Sequence, residues 1–245
     1  MGGTLGKRRG GHMEEVNAKA AAGREAARLV RSGMVVGLGT GSTAVEFIKA
    51  LADRAKNEDL RITCVATSIA SGGLARKLGL KVVSLSEVDG VDLAVDGADW
   101  IDSKLRLIKG GGGAHVREKV VDYAAKEFVV IADESKLCTR LRGKVPLEVL
   151  PFAAPFVEKE LWKRFGAKAA MRPKLSDNGN ALMDAEFESM AGGPERLEAQ
   201  LGEVPGIVGN GLFTHNVSKA IIGLPNGKTR VIGAKKAKTG KMARS

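Results

Sequence analysis

Three segments of the chain hold side chains whose types and spacing suit chemistry. The first, Gly37-Leu38-Gly39-Thr40-Gly41-Ser42-Thr43, follows the apolar run Met34-Val35-Val36 and precedes a helical pattern. Gly37 and Gly39 fit a dinucleotide fingerprint, but Ser42 stands where its third glycine belongs, and no clean acidic residue ends the next strand. The hydroxyls of Thr40, Ser42 and Thr43, with backbone N–H groups at a helix N-terminus, instead suit a single phosphate. A tight turn without a ligand is the plain alternative.

The second segment is Asp96-Gly97-Ala98-Asp99, at the end of an apolar strand pattern. Two carboxylates three residues apart on a turn can hold sugar hydroxyls and move a proton; an ordinary Asx turn has the same sequence. The third runs from Lys109 through Gly110, Gly111, Gly112 and Gly113 into Ala114-His115-Val116-Arg117-Glu118. Four glycines could form a linker, yet a linker would not launch straight into a helix. Consecutive exposed N–H groups beside a lysine can stabilise an oxyanion. Glu118 shares a helix face with Ala114, Val121 and Ala125, so it points inward, with the makings of a general base. A buried structural ion pair, with Arg117 as one partner, is its bland reading, and a solvated face fits Lys119, Asp122 and Lys126 better.

The remaining polar residues draw plainer expectations. His115 has no partner histidine and reads as a surface or packing residue; His215 and His12 make no metal spacing with Cys64 or Cys138. Trp162, at helical spacing with Val157, Leu161 and Phe165, is expected in the core. The cysteines are expected as small buried hydrophobes, and two of them cannot staple a scaffold, which favours a reducing compartment and hence the cytoplasm.

The elements that must position these groups alternate along the chain. A helical pattern at Glu14–Ser32 leads to the short strand before Gly37, and a second helix follows with Ala44, Phe47, Ile48, Leu51 and Ala55 at 3–4 spacing. Strands are predicted near Ile62–Ala66, Lys81–Leu85, Val91–Val95 and Phe128–Ala132, with helices near Ser71–Leu78 and Ala114–Lys126. This order predicts an α/β fold with a mostly parallel sheet covered on both faces. Past Lys144 the texture changes. Pro146, Pro151 and Pro155 precede a helix at Val157–Phe165, an Asn178-Gly179 hairpin signal lies between Leu175 and Leu182, and another helix follows at Pro194–Leu201. Residues 144–218 are expected to form a smaller α+β domain inserted into a main domain of residues 13–143 and 219–233, with a hairpin around Pro225-Asn226-Gly227.

The net charge of +11 on 245 residues invites a nucleic-acid reading, but ten of those charges lie in acid-free stretches, residues 1–12 and 228–245. Residues 1–12 and 234–245 read as disordered, and the His12-Met13 junction reads as a vector remnant that makes Met13 the expected start. The body is nearly neutral and offers no electrostatic footprint for a duplex. No apolar window approaches the ~18 residues of a membrane span, so a soluble protein is expected.

Taken in order, GLGTGSTA, TSIAS at Thr67–Ser71, DGAD, IKGGGGA and REK resemble the ribose-5-phosphate isomerase family, type A, and the resemblance extends over residues 13–233, including DNGN and GNGLF. It implies a Rossmann-like domain with a ferredoxin-like insertion, no metal or organic cofactor, and a homodimer or homotetramer. The family's base falls on Glu118, with Asp96 assisting ring opening and Asp99 holding sugar hydroxyls. Lys109 and the amides of Gly110, Gly111 and Gly112 would stabilise an enediolate, beside Gly97 and Ala98. Thr40, Gly41, Ser42 and Thr43 would take the substrate phosphate, joined by Lys19 and Lys136. Two positions depart from the pattern: Trp100 replaces an acidic residue after DGAD, pointing to a changed loop beside the site, and Gly209 replaces a Glu. The implied reaction interconverts D-ribose 5-phosphate and D-ribulose 5-phosphate. A non-catalytic sugar-phosphate sensor could share the scaffold, but it could dispense with Lys109 or Glu118, and no helix-turn-helix module precedes residue 34. A basic tail acting as a nucleic-acid anchor is a third, weaker reading.

Overall fold

The computed structural model describes residues 5–233. The chain runs through α1 (Leu5–Ala27), β1 (Val35–Leu38), α2 (Ser42–Asn57), β2 (Thr63–Ala66), α3 (Ile69–Lys77), β3 (Val82–Val83) and β4 (Val91–Asp96). Next come β5 (Trp100–Ile101), β6 (Leu107–Ile108), α4 (His115–Ala124) and β7 (Ala125–Asp133). Then follow β8 (Lys144–Val149), α5 (Ala154–Phe165), β9 (Lys168–Leu175), β10 (Ala181–Glu186), α6 (Pro194–Gly202), β11 (Ile207–Asn210), β12 (Leu212–Phe213), β13 (Val217–Gly223) and β14 (Thr229–Gly233).

Seven strands form the central sheet in the order β14-β13-β7-β4-β1-β2-β3, parallel throughout except for the β13–β14 hairpin. Its central strands are apolar on both faces because both are covered. Along β7, Val129 and Ile131 face the core built on Phe47, Ile48 and Leu51 of α2, whereas Phe128, Val130 and Ala132 face the core holding Val121 of α4 and Phe213. After β1 the chain moves outward to β2 and β3, then returns to lay β4 on the other side of β1. That reversal opens a crevice at the carboxyl ends of β1 and β4, where parallel sheets hold ligands.

The segment from β8 to β11 has the order βαββαβ and makes an antiparallel sheet, β11-β8-β10-β9, backed by α5 and α6 around a core that also takes in Ile108, Leu141 and Leu212. Leu212–Phe213 leaves that sheet and pairs with β6, completing a three-stranded ribbon with β5. The architecture is the α/β class expected, a mostly parallel sheet with a smaller α+β unit.

Several local expectations differ. α1 reaches back to Leu5, into the stretch expected to be disordered, as extending an existing helix adds one hydrogen bond per residue. The tail from 234 onward lies outside the described residues. The strand expected at Lys81–Leu85 is reduced to Val82–Val83, because Ser84 caps a 3₁₀ turn at Leu85–Glu87. Trp162 is exposed, not core: buried Val157 and Leu161 define the inner face of α5, and five residues past Val157 is well off that stripe. Cys64 is buried and Cys138 half-buried. Among the described residues no helix is long and apolar enough to cross a membrane.

Candidate active site

Three loops converge at the crevice between β1 and β4 around a cavity of about 120 Å³. The turn after β1 contributes Thr40, Gly41, Ser42 and Thr43, and the turn after β4 contributes Gly97, Ala98 and Asp99. The segment leading into α4 contributes Lys109, Gly110, Gly111, Gly112 and Glu118, and Lys136 reaches in from the 3₁₀ turn after β7. Asp96 lies buried behind this lining. One of its oxygens accepts from the Thr40 and Gly97 amides at 2.9 and 2.6 Å, stitching the first two loops together. Lys19 lies outside the lining; its ammonium pairs with Glu15 one turn away in α1.

The electrostatic centre is Lys109, whose side chain is only 2 % exposed. Its Nζ lies 2.9 Å from Asp96, 3.5 Å from Glu118 and 3.7 Å from Asp122, and donates to the Gly97 carbonyl at 2.6 Å. The rings of Phe213 and Phe128 stand 5.3 and 5.9 Å from it. Burial alone would lower its pKa, but the three carboxylates outweigh burial and raise it, so it stays an ammonium. Burial pushes Glu118 up to about 8; Lys109 opposes that rise, and the Asp96 and Asp99 carboxylates add to it. Burial likewise raises Asp96, against Lys109 and the two loop amides, and raises Asp122 well above the usual carboxylate range. A carboxyl that titrates near neutrality beside a fixed cation can exchange a proton with a bound carbon acid.

Polar groups on the loops are divided between scaffold and cavity. The Thr40 hydroxyl bonds to Thr67 at 2.7 Å and Ser68 at 2.8 Å, so it fixes the loop against the start of α3; this accounts for the TSIAS segment. Ser42 and Thr43 open α2 and line the cavity. Asp99 accepts from the Gly111 amide at 2.8 Å.

Several neighbours of Glu118 lie elsewhere than expected. Asp122, expected on a solvated face, is fully buried against Lys109, and Lys119 places its ammonium 2.6 Å from Glu198 and over Phe213. Lys126 does sit on the surface. Arg117 bonds Asn178 and Asp177 in the β9–β10 turn rather than pairing with Glu118. His115 is a packing residue, buried beneath the glycine turn, and burial lowers its pKa to about 4. Trp100 lies outside the cavity lining, beneath the Arg142 guanidinium and against the core of the smaller sheet. Gly209 lies on β11, its Cα facing Val116 of α4. Asp122 had a legible signal, its i+4 spacing from Glu118.

The sequence model of the family described as Ribose 5-phosphate isomerase A (phosphoriboisomerase A) matches residues 63–227. The chain belongs to this family. A ribose-5-phosphate isomerase A relative from Methanosarcina acetivorans is 47% identical over 225 residues, spanning 89% of this chain and 95% of its own. The solved ribose 5-phosphate isomerase A of Methanocaldococcus jannaschii superposes with a TM-score of 0.84 at 40% identity, covering 88% of this chain and 98% of that one. A D-ribose-5-phosphate isomerase in complex with phospho-erythronic acid gives a TM-score of 0.84 at 38% identity, covering 88% of this chain and 97% of that one.

Proposed function

We propose that this chain interconverts D-ribose 5-phosphate and D-ribulose 5-phosphate through a cis-enediolate, with Glu118 carrying the proton. The observation that carries the reading is Glu118 held 3.5 Å from the Lys109 ammonium on one wall of the cavity that Ser42, Thr43 and Lys136 also line. The substrate phosphate occupies the N-terminus of α2, met by the Ser42 and Thr43 hydroxyls and amides and by Lys136. Asp99 holds sugar hydroxyls while Asp96 assists opening of the furanose ring. In the open-chain aldose the Glu118 carboxylate removes the proton on carbon 2; the electron pair of that C–H bond becomes the C1=C2 double bond, and the π pair of the carbon 1 carbonyl moves onto its oxygen. Lys109 and the glycine amides hold that oxyanion. A proton passes between the two oxygens, Glu118 returns its proton to carbon 1, and carbon 2 becomes the ketone.

Relatives named as isomerases support this reading, and phospho-erythronic acid in one of them pairs a phosphate ester with a carboxylate, the two anionic features the cavity is built to receive. The sensor alternative gains no such support. Incubating the purified protein with ribose 5-phosphate and following ketose formation tests the activity. No ketose with ribose 5-phosphate would overturn it.

We further propose that residues 13–143 with 219–233 form one domain and 144–218 another, and that the protein works in the cytoplasm as a homodimer or homotetramer. Exposed Phe152, Phe156 and Trp162, on α5 and the turn before it, support self-association. Light scattering of the purified chain would show a multiple of 25.7 kDa; a monomer mass would contradict it.

A further inference from the structure

The four-glycine turn poses a physical problem. Glycine has the widest backbone freedom of any residue; one hydrogen bond within the turn, from the Gly113 N–H to the Gly110 carbonyl at 2.9 Å, closes it but leaves the direction of the Gly111 carbonyl to an outside group. An oxyanion site needs its N–H groups fixed in advance. The fixing group comes from the other sheet. Arg172 on β9 donates from Nη1 to the Gly110 carbonyl at 2.8 Å and to the Gly111 carbonyl at 3.3 Å. Its Nε and Nη2 are taken by the two oxygens of Asp184 on β10, at 2.9 and 2.6 Å, so the fork cannot swing. Leu182, also on β10, packs against the Cα of Gly113.

A trans peptide is planar, with its N–H opposite its C=O. Drawing the Gly110 carbonyl toward Arg172 therefore turns the Gly111 N–H the other way, where it meets Asp99 at 2.8 Å. Drawing the Gly111 carbonyl the same way turns the Gly112 N–H away from Arg172, and Gly112 lines the cavity. We propose that Arg172, locked by Asp184, is a positioning residue that aims the Gly112 amide at the enediolate oxygen and keeps the Gly111 amide on Asp99. This rests on the isomerase reading above, and it gives the smaller sheet a part in the chemistry of the larger one.

The test compares R172Q, R172K and D184N with wild type. In R172Q, kcat for ribose 5-phosphate should fall about 10- to 100-fold while KM changes little, because the phosphate loops are untouched. Calorimetry should show phospho-erythronate bound more weakly by a similar factor, with the affinity for inorganic phosphate unchanged. R172K keeps the charge but lacks the fork, so it should recover little; D184N should lose part of the activity. Should R172Q fail to fold, D184N gives the same split between the two ligands. Wild-type kcat in a folded R172Q, or equal losses for phospho-erythronate and phosphate, would overturn the proposal. A wild type inert toward ribose 5-phosphate would overturn the isomerase reading instead, and the two affinities would still test Arg172.

Discussion

Lys109 and Asp96 meet at 2.9 Å with side chains 2 % and 0 % exposed, and two further buried carboxylates, Glu118 and Asp122, lie within 3.7 Å of the same ammonium. The fold thus places a cation where one is needed both for stability and for an oxyanion. Removing one partner of a buried pair typically costs about 3–5 kcal/mol, because the other charge is left uncompensated. K109M should destabilise the protein by about that amount in urea unfolding at neutral pH and abolish turnover. A variant as stable as wild type would show that no buried carboxylate depends on the Lys109 ammonium.

The pH dependence follows from Glu118. The base must be ionised, so kcat/KM for ribose 5-phosphate should rise with pH through about 8 and level off above it. A profile flat across that range would contradict the assignment.

Stability should show the opposite trend. The Glu118 carboxyl holds its proton more tightly folded than unfolded, so its contribution is full below 4.5 and is lost as pH rises through about 8. E118Q cannot ionise. Its thermal stability relative to wild type should therefore increase between those limits and stay constant above them, as scanning calorimetry at a series of pH values would record.

Phosphate binding and chemistry should separate at Lys136. Loss of one charge-assisted hydrogen bond is worth about 1.5–3 kcal/mol, so K136M should raise KM about 10- to 100-fold and leave kcat nearly intact. An equal fall in kcat would place Lys136 at the reacting carbons instead.

Two glycines of the first loop should differ in kind. A Cβ at Gly39 would lie 2.2 Å from Asp96 Oδ1 and 2.5 Å from its Cα, whereas one at Gly41 would meet open space, strained only by a φ of +108°. G39A should displace Asp96 and lose both stability and turnover; G41A should cost about 1 kcal/mol of stability. Similar effects from both would argue against the close approach of the two loops.

Periodicity carried the main sheet because β4 and β7 are long apolar runs, and it carried Glu118 because Val121 marks its face. It failed where an element is too short to show a period. β5, β6 and β12 have two residues each, and the ribbon they form was invisible. It also failed where burial of a charge depends on a distant partner. Asp122 is tolerated inside only because Lys109 arrives from another segment, and Lys119 because Glu198 does. Arg172 gave no local signal, since its carbonyl partners lie some sixty positions earlier in the chain.

Proton transfer by Glu118 is tested most directly by proton NMR of ribose 5-phosphate incubated in D₂O with wild type and with E118Q. Wild type should form ribulose 5-phosphate and introduce deuterium at the carbons that exchange their proton; E118Q should stay folded, bind inorganic phosphate as before, and give neither ketose nor label. Ketose formed by E118Q at a rate comparable to wild type would contradict the account.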